Sequence, residues 1–455
     1  MAESKFITAP LRISTMPPGI PYIIATEAAE RFSFYGMRAI LVVFMTQYLR
    51  DASGALAVMT ENEANQKYHL FLSLGYFLPV VGAIFADVFF GKYRTIFWLS
   101  LIYCGGHLAL SLDETRMGLT VGLVLVAIGM GGIKPCVSAI VGDQFGAANQ
   151  HLLSKAFGWF YFSINAGSMI SIPLTPLLLK YAGPGWAFGV PGILMGIAAV
   201  IFWAGRYKFV HIPPGGRSFF RENFNREGLS AIGRIALIYV FVAIFWSLWD
   251  QSGSEWVLQA EKMDRQVTIF GSTFEILSAQ IQTLNSIFIL TMIVGCNYVL
   301  YPLINRVFPL TELRKIGLGL VVTAASFLIA AWIESQITAG LKPSIAWQVP
   351  AFLLLSTGEV MVSVTALEFA YTQAPKRMKS IVMVLYMWAI SAGNLFTALV
   401  HKFIANPDGS TKLPGAWFYL FFAGLCLLTT VVYVFVARLY TPKTYLQDDA
   451  PAAIP

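Results

Sequence analysis

The sequence predicts an all-α polytopic membrane protein with about twelve transmembrane helices in two six-helix halves, both termini on one side. Three observations carry that expectation. Only 12% of the 455 residues are charged, about half the share found in soluble domains. Mean hydropathy is +0.66. Apolar runs long enough to cross a bilayer as a helix, about 20 residues each, recur from one end of the chain to the other. They are continuous, whereas a transmembrane β-barrel would show segments of about ten residues alternating with period two.

Taken in order, the runs cover residues 20–49, 68–90, 94–112, 117–142, 153–179 and 186–206, then 233–253, 275–301, 314–337, 346–371, 380–404 and 415–440. The first follows a polar, Pro-rich stretch, MAESKFITAPLRISTMPPGI, which has neither the short apolar core nor the cleavage site of a removable signal peptide. The longest internal polar interval, RYKFVHIPPGGRSFFRENFNREG at 206–228, follows the sixth run. The chain therefore divides into a tail (1–19), a six-helix bundle (20–206), a basic linker (207–232), a second bundle (233–440) and a tail (441–455). Two such halves joined by a basic loop have the look of the major facilitator architecture.

Orientation follows from the basic residues of the loops. The side bearing both termini and the linker carries nineteen, Lys92, Arg94, Arg206, Lys208, Lys376 and Arg377 among them, against nine on the other side. The termini and linker are expected to be cytoplasmic. The net charge of +7 is spread singly and in small groups between apolar runs, which speaks against a nucleic-acid partner. Cys104, Cys136, Cys296 and Cys426 lie in apolar stretches without metal-ligand spacing or a disulfide framework, and read as packing residues. The histidines (His69, His107, His151, His211 and His401) are scattered and read as solvated loop or span-end residues.

Charges inside spans are the informative exception. A charge at the bilayer centre costs about 2.5–3.5 kcal/mol on insertion scales, and such residues mark ion and substrate paths by default. The first span holds Glu27, Glu30, Arg31 and Arg38; the fourth, Lys134; the seventh, Asp250; the tenth, Glu359. Glu368, further along the tenth, reads as a boundary residue. Positions 27, 30, 31, 34, 35 and 38 form one stripe of a helix. Two acids and two bases on it must face protein or water and pair there. The alternative is a structural ion-pair network; for Lys134 it is snorkelling to an interface, and for Asp250 and Glu359 a satisfied polar core position. Spans 1, 4, 7 and 10 are the equivalent first and fourth helices of two related halves, those expected to line a central cavity.

EAAERFSFYG (27–36) resembles the E-x-x-E-R-F-x-Y-Y-G signature of the proton-coupled oligopeptide transporter family. FGWFYFSINAGS (157–168) resembles its F-Y-x-x-I-N-x-G-S signature, and VGAIFADVFFGKYRTI (81–96) its loop between spans two and three, though Asp87, Gly91 and Arg94 alone would mark only the wider superfamily. FWSLWDQSGSEW and TGEVMVSVTALEFAYTQAP are similar to its seventh- and tenth-span motifs. The resemblance implies a symporter that imports di- and tripeptides with protons by alternating access, driven by the proton gradient without a cofactor. It implies proton coupling through Glu27, Glu30 and Arg31, and gating pairs Arg38–Asp250 and Lys134–Glu359. It also implies a peptide pocket of Tyr35, Arg38, Tyr76, Lys134, Asn165, Trp246, Asn285, Glu359 and Trp388. The peptide carboxylate would meet Arg38 and Lys134, and its ammonium Glu359. Two departures stand out. Phe34 replaces the usual Tyr, removing a pocket hydroxyl. Trp249 precedes Asp250 where some members carry a second acid. The linker is too short for two inserted helices, so twelve spans are expected rather than fourteen.

A dipeptide is a zwitterion, and one basic and one acidic pole in a cavity would hold its ends without reading its side chains. Aromatic walls of Phe34, Tyr35, Trp246 and Trp388 would accept those. Proton coupling needs a carboxyl whose affinity for a proton changes with burial and with a neighbouring base, a role that fits Glu30. The rival readings are a family member that carries nitrate or a peptide-like drug, and a non-transporting membrane sensor. No nucleophile–base pair suggests an enzyme, and no metal spacing is present. The expected setting is the plasma membrane, by analogy a bacterial inner membrane, with the protein working as a monomer.

Overall fold

The computed structural model describes residues 6–214, 226–269, 271–373, 379–408 and 410–440. Part of the N-terminal tail and of the linker, the whole C-terminal tail, and Lys376 and Arg377 lie outside the described residues. Within them the spans fold as helices α1 (Ile20–Gln47), α2 (Glu61–Phe90), α3 (Lys92–Leu112), α4 (Arg116–Asp143), α5 (Gln150–Ala182) and α6 (Pro184–Ala204). The second half supplies α7 (Leu229–Glu261), α8 (Ser278–Asn305), α9 (Glu312–Thr338), α10 (Ile345–Ala370), α11 (Val382–Ile404) and α12 (Ala416–Leu439). The eleven from α2 to α12 are long and apolar enough to cross a membrane. The exception, α1, is as long as the others but carries the four ionisable side chains of the stripe.

Local chemistry sets several ends. The Thr60 hydroxyl accepts from the Glu63 amide and starts α2 seven residues before the apolar run. Thr115 and Thr311 cap α4 and α9 in the same way. Between α5 and α6 the chain turns at Gly183, whose φ of +86° favours glycine, followed by Pro184 in the first helical turn. One stretch departs from expectation. After a 3-10 turn at Asp250–Gly253 the chain of α7 resumes as helix to Glu261. A hairpin of β1 (Gln266–Ile269) and β2 (Ser272–Glu275) then precedes α8. Apolar counting ended the seventh span at 253 because the polar residues that follow are covered by protein rather than facing lipid, Ser254 and Gln259 buried and Glu255 mostly so.

Two apolar cores form, one mainly from α1–α6 and one mainly from α7–α12. In the first, α1 packs on α5 and α6, and α4 on α2 and α3; in the second, α9 packs on α10 and α12, and α7 on α11. Small residues allow close approach where lipid gives no hydrophobic drive for helix association. A side chain at Gly82 would come within 2.4 Å of the Gly132 Cα, and one at Gly36 within 2.5 Å of the Thr175 hydroxyl.

The halves meet along α2 and α11, with α5 touching α8. Side-chain bonds across the seam run from mid-membrane, where Ser391 donates to the Ser73 carbonyl at 2.8 Å, to the face opposite the termini. There Lys262 pairs with Glu61 and Lys180 with Glu275, each at 2.7 Å. The tip of α7 and the turn at Ser278–Gln282 reach into the first core through Val257, Leu258 and Ala279. Among the described residues no side-chain hydrogen bond or ion pair links α4 or α5 to α10 or α11. The seam is bolted toward the face opposite the termini.

Because the atoms facing Gly82 are backbone and cannot retract, Gly82→Ala is expected to cost about 1–3 kcal/mol. Gly142→Ala, with open space around the added methyl, is expected to stay within about 0.5 kcal/mol of the parent. Thermal unfolding of both purified variants in detergent checks the pair.

Candidate functional site

The α1 stripe is buried, as its charges require. Arg31 Nε lies 2.7 Å from Glu27 Oε1 and 2.9 Å from Glu30 Oε2. Its hydrogen bond goes to Glu27. Glu30 is 0% exposed, and neither of its oxygens receives a hydrogen bond, nor does Glu27 Oε2. One guanidinium thus serves two carboxylates, leaving more acceptor capacity than the donors at hand satisfy.

Two turns on, Arg38 Nη2 meets Asp250 Oδ1 at 2.6 Å across the seam, with both side chains at most 5% exposed. Arg38 Nε donates to the Tyr68 hydroxyl at 2.6 Å, and the guanidinium lies 5.2 Å from the Trp249 ring centroid. Asp250 sits in the 3-10 turn of α7. The turn matters sterically, since a side chain at Gly253 would come within 2.2 Å of the Tyr68 oxygen. Asp250 Oδ2 accepts from Asn394 Nδ2 at 2.6 Å. Asn394 Oδ1 lies 2.7 Å from His69 Nδ1, and His69 Nε2 lies 3.0 Å from the Ser254 hydroxyl. Nearer the face opposite the termini, His69 stacks on His401, whose Nδ1 lies 2.7 Å from Asn62 Oδ1. His69, His107 and His401 are therefore buried, not solvated as the sequence suggested. Each is inside protein because a neighbouring helix supplies a partner, which for His107 is the Phe188 carbonyl at 3.1 Å.

Lys134 and Glu359 do not pair with one another here. The Lys134 ammonium sits over two rings, 4.1 Å from the Phe34 centroid and 4.4 Å from that of Tyr76. Glu359 Oε2 accepts from Trp249 Nε1 at 2.8 Å and from Asn285 Nδ2 at 2.9 Å. It stands immediately before a π-helical turn at Val360–Val364, a distortion often found at functional positions. Trp246 packs edge-on against Trp249 at 5.1 Å and Tyr386 at 6.1 Å. Tyr35 lies edge-on to Phe34, and Trp388 stacks across the seam on Phe77 at 5.9 Å. The Asn165 amide bonds within its own helix, to the Tyr161 carbonyl at 2.9 Å.

The structure thus gathers Glu27, Glu30 and Arg31 into one cluster and Arg38 with Asp250 into a second. Glu359, Asn285, Trp246 and Trp249 form a third group. Lys134 lies over both Phe34 and Tyr76, with Tyr35 packed on Phe34, while Asn165 and Trp388 make no polar contact with the other site residues. The sequence reading missed Tyr68, His69, Ser254 and Asn394. The available signal was an imidazole and a carboxamide inside apolar spans. Among the described residues no group of three metal-binding side chains is present.

A sequence model of the POT family matches residues 93–227 and 222–418. Solute carrier family 15 member 2 of Rattus norvegicus is 34% identical over 405 residues, 78% of this chain and 54% of the relative. The chain spans about half the length of the curated relatives it matches. Among solved structures, that of the POT family transporter PepTSo superposes with a TM-score of 0.82 at 36% identity, covering 93% of this chain and 98% of PepTSo. An auto-inhibited POT family peptide transporter gives 0.83 at 33%, covering 95% and 99%. Sequence motifs, fold and both kinds of relative agree that this multi-pass membrane protein belongs to the POT family of transporters.

Proposed function

We propose that the chain is a proton-coupled symporter that imports di- and tripeptides by alternating access across the plasma membrane. The observation that carries this is on α1. A carboxylate without a hydrogen-bond donor, Glu30, shares a buried stripe with Arg38, the residue that bolts the halves together. A site for a proton and a gate thus lie on one rigid element. The peptide-transporter relatives support the substrate class, and the basic loops support placing the termini in the cytoplasm. With the bolted seam then outside, the molecule faces inward. Residues 20–206 and 233–440 are the two bodies that rock.

Lys134 receives the peptide carboxylate with Arg38, and Glu359 receives the ammonium. Both charges are held by rings or by neutral donors, so each is available for a charged ligand. Trp246, Trp388, Tyr35 and Tyr76 wall the space, and Asn165 and Asn285 supply amides. Glu30, parted from Arg31, takes a proton outside and releases it inside, with Glu27 as the second carboxyl of the cluster. The gradient replaces any cofactor, no bond in the substrate is broken, and one chain suffices. A peptide-like drug with the same two ends would fit the same poles.

Uptake of labelled Ala-Ala into liposomes holding the purified protein is expected to be concentrative under an inward proton gradient and to collapse with an uncoupler. Glu30→Gln is expected to abolish that accumulation while leaving counterflow exchange; persistent gradient-driven uptake in the variant rejects the assignment. For Glu359→Gln, affinity for Ala-Ala is expected to fall about tenfold or more, the range of a lost charged hydrogen bond. N-acetyl-Ala-Ala, which has no ammonium, should bind the variant and the parent alike in competition assays.

A further inference from the structure

The loop motif around Asp87, Gly91 and Arg94 lies outside the peptide and proton path proposed above. Beside it, a cavity of about 380 Å³ opens on the outer surface of the first half, between α2, α3 and α4. Its walls are apolar, with Leu78, Val81, Phe85, Trp98 and Ile128 prominent, and Gly82, Gly131 and Gly132 lie along it. Phe85 and Trp98 are 45% and 63% exposed on helices long and apolar enough to cross a membrane. The hollow exists because the three glycines draw α2 onto α4 and place no side chain outside the contact. Along α2 it extends from Leu78 to Phe90, roughly 18 Å at helical rise.

The one charged residue of this lining is Arg94, in the first turn of α3 at the face bearing the termini, beside the hydroxyl of Thr95. Its neighbour Lys92 is committed to Asp143 at 2.6 Å. Arg94 itself is exposed and makes no hydrogen bond or ion pair among the described residues. An apolar channel with an unpaired guanidinium at its headgroup end matches a chain-bearing anion. Apolar contact alone selects nothing within a bilayer, since lipid tails are as apolar as leucine, so selection falls to the charge. Basic pockets between transmembrane helices bind anionic headgroups in this manner.

We propose that this groove is a binding site for one anionic phospholipid, with its phosphate on Arg94 and an acyl chain along Gly82, Gly131 and Gly132. The lipid would back α4 on the side away from the cavity that Lys134 faces.

The test is native mass spectrometry of the full-length protein in detergent, titrated with phosphatidylglycerol or phosphatidylcholine. One basic residue at the headgroup level supports about a fivefold preference. The parent is expected to retain phosphatidylglycerol by about that factor, Arg94→Lys to keep the preference, and Arg94→Gln to lose it. Ile128→Trp, which fills the channel, is expected to lower retention of both lipids with Arg94 intact. Equal retention of the two lipids by the parent overturns the proposal, as does an undiminished preference in Arg94→Gln. Displacement of the lipid by inorganic phosphate alone also overturns it, since the site would then hold an anion without its chains.

Discussion

The ion pair between Arg38 and Asp250 sets the terms for everything around it. Breaking a buried pair by removing one partner costs about 3–5 kcal/mol, because an uncompensated charge remains. Such a pair is sustained only where its other valences are met. Tyr68 and the face of Trp249 complete the arginine, and Asn394 completes the aspartate. Asn394 in turn engages His69, and His69 engages Ser254. The turn that breaks α7 at Asp250 and the absent side chain at Gly253 make room for the whole set. The local irregularity of α7 and the pair thus belong to one arrangement.

The same accounting explains why the two ends of the seam differ. Toward the face opposite the termini, polar groups from both halves find partners in one another. Deeper in the other direction, Lys134 and Glu359 are satisfied separately, one by rings and the other by neutral donors. A cation over a desolvated aromatic face gains about 2 kcal/mol, and a hydrogen bond to a charged group about 1.5–3 kcal/mol. Bringing the lysine and glutamate together, or placing a zwitterion between them, exchanges terms of similar size. A pocket built from such near-equal alternatives can change partners without a deep trap on either side.

Much of this was legible in the chain. The spans followed from run length, and the stripe on α1 followed from helical spacing, because a charge in lipid must face inward whatever the tertiary detail. Less legible was anything that depends on a second helix. His69 and His401 looked like solvated residues because their partners, Asn394 and Asn62, are more than 300 positions away in the chain. The extension of α7 to Glu261 was hidden because its polar residues are covered by protein, a circumstance that hydropathy does not register. The separation of Lys134 from Glu359 belongs to one conformation, and a sequence encodes all the conformations at once.

In the proposed symport the stripe also limits how a proton can work the gate. Glu30 and Arg38 are eight residues apart on one helix, about 12 Å of rise. A unit charge acting over 12 Å at an effective dielectric constant near 20 contributes about 1.4 kcal/mol. Reversing a two-state equilibrium from 1:99 to 99:1 takes about 5.5 kcal/mol. The field of a protonation at Glu30 therefore biases the Arg38–Asp250 pair without reversing it, and α1 cannot add much by bending, since it is wedged against α5 at Gly36 and Gly167. The remaining 4 kcal/mol or so has to come from a group that competes directly for Arg38. A carboxylate entering the cavity is such a group, so in the proposed symport the distances on this helix would make proton and substrate jointly required.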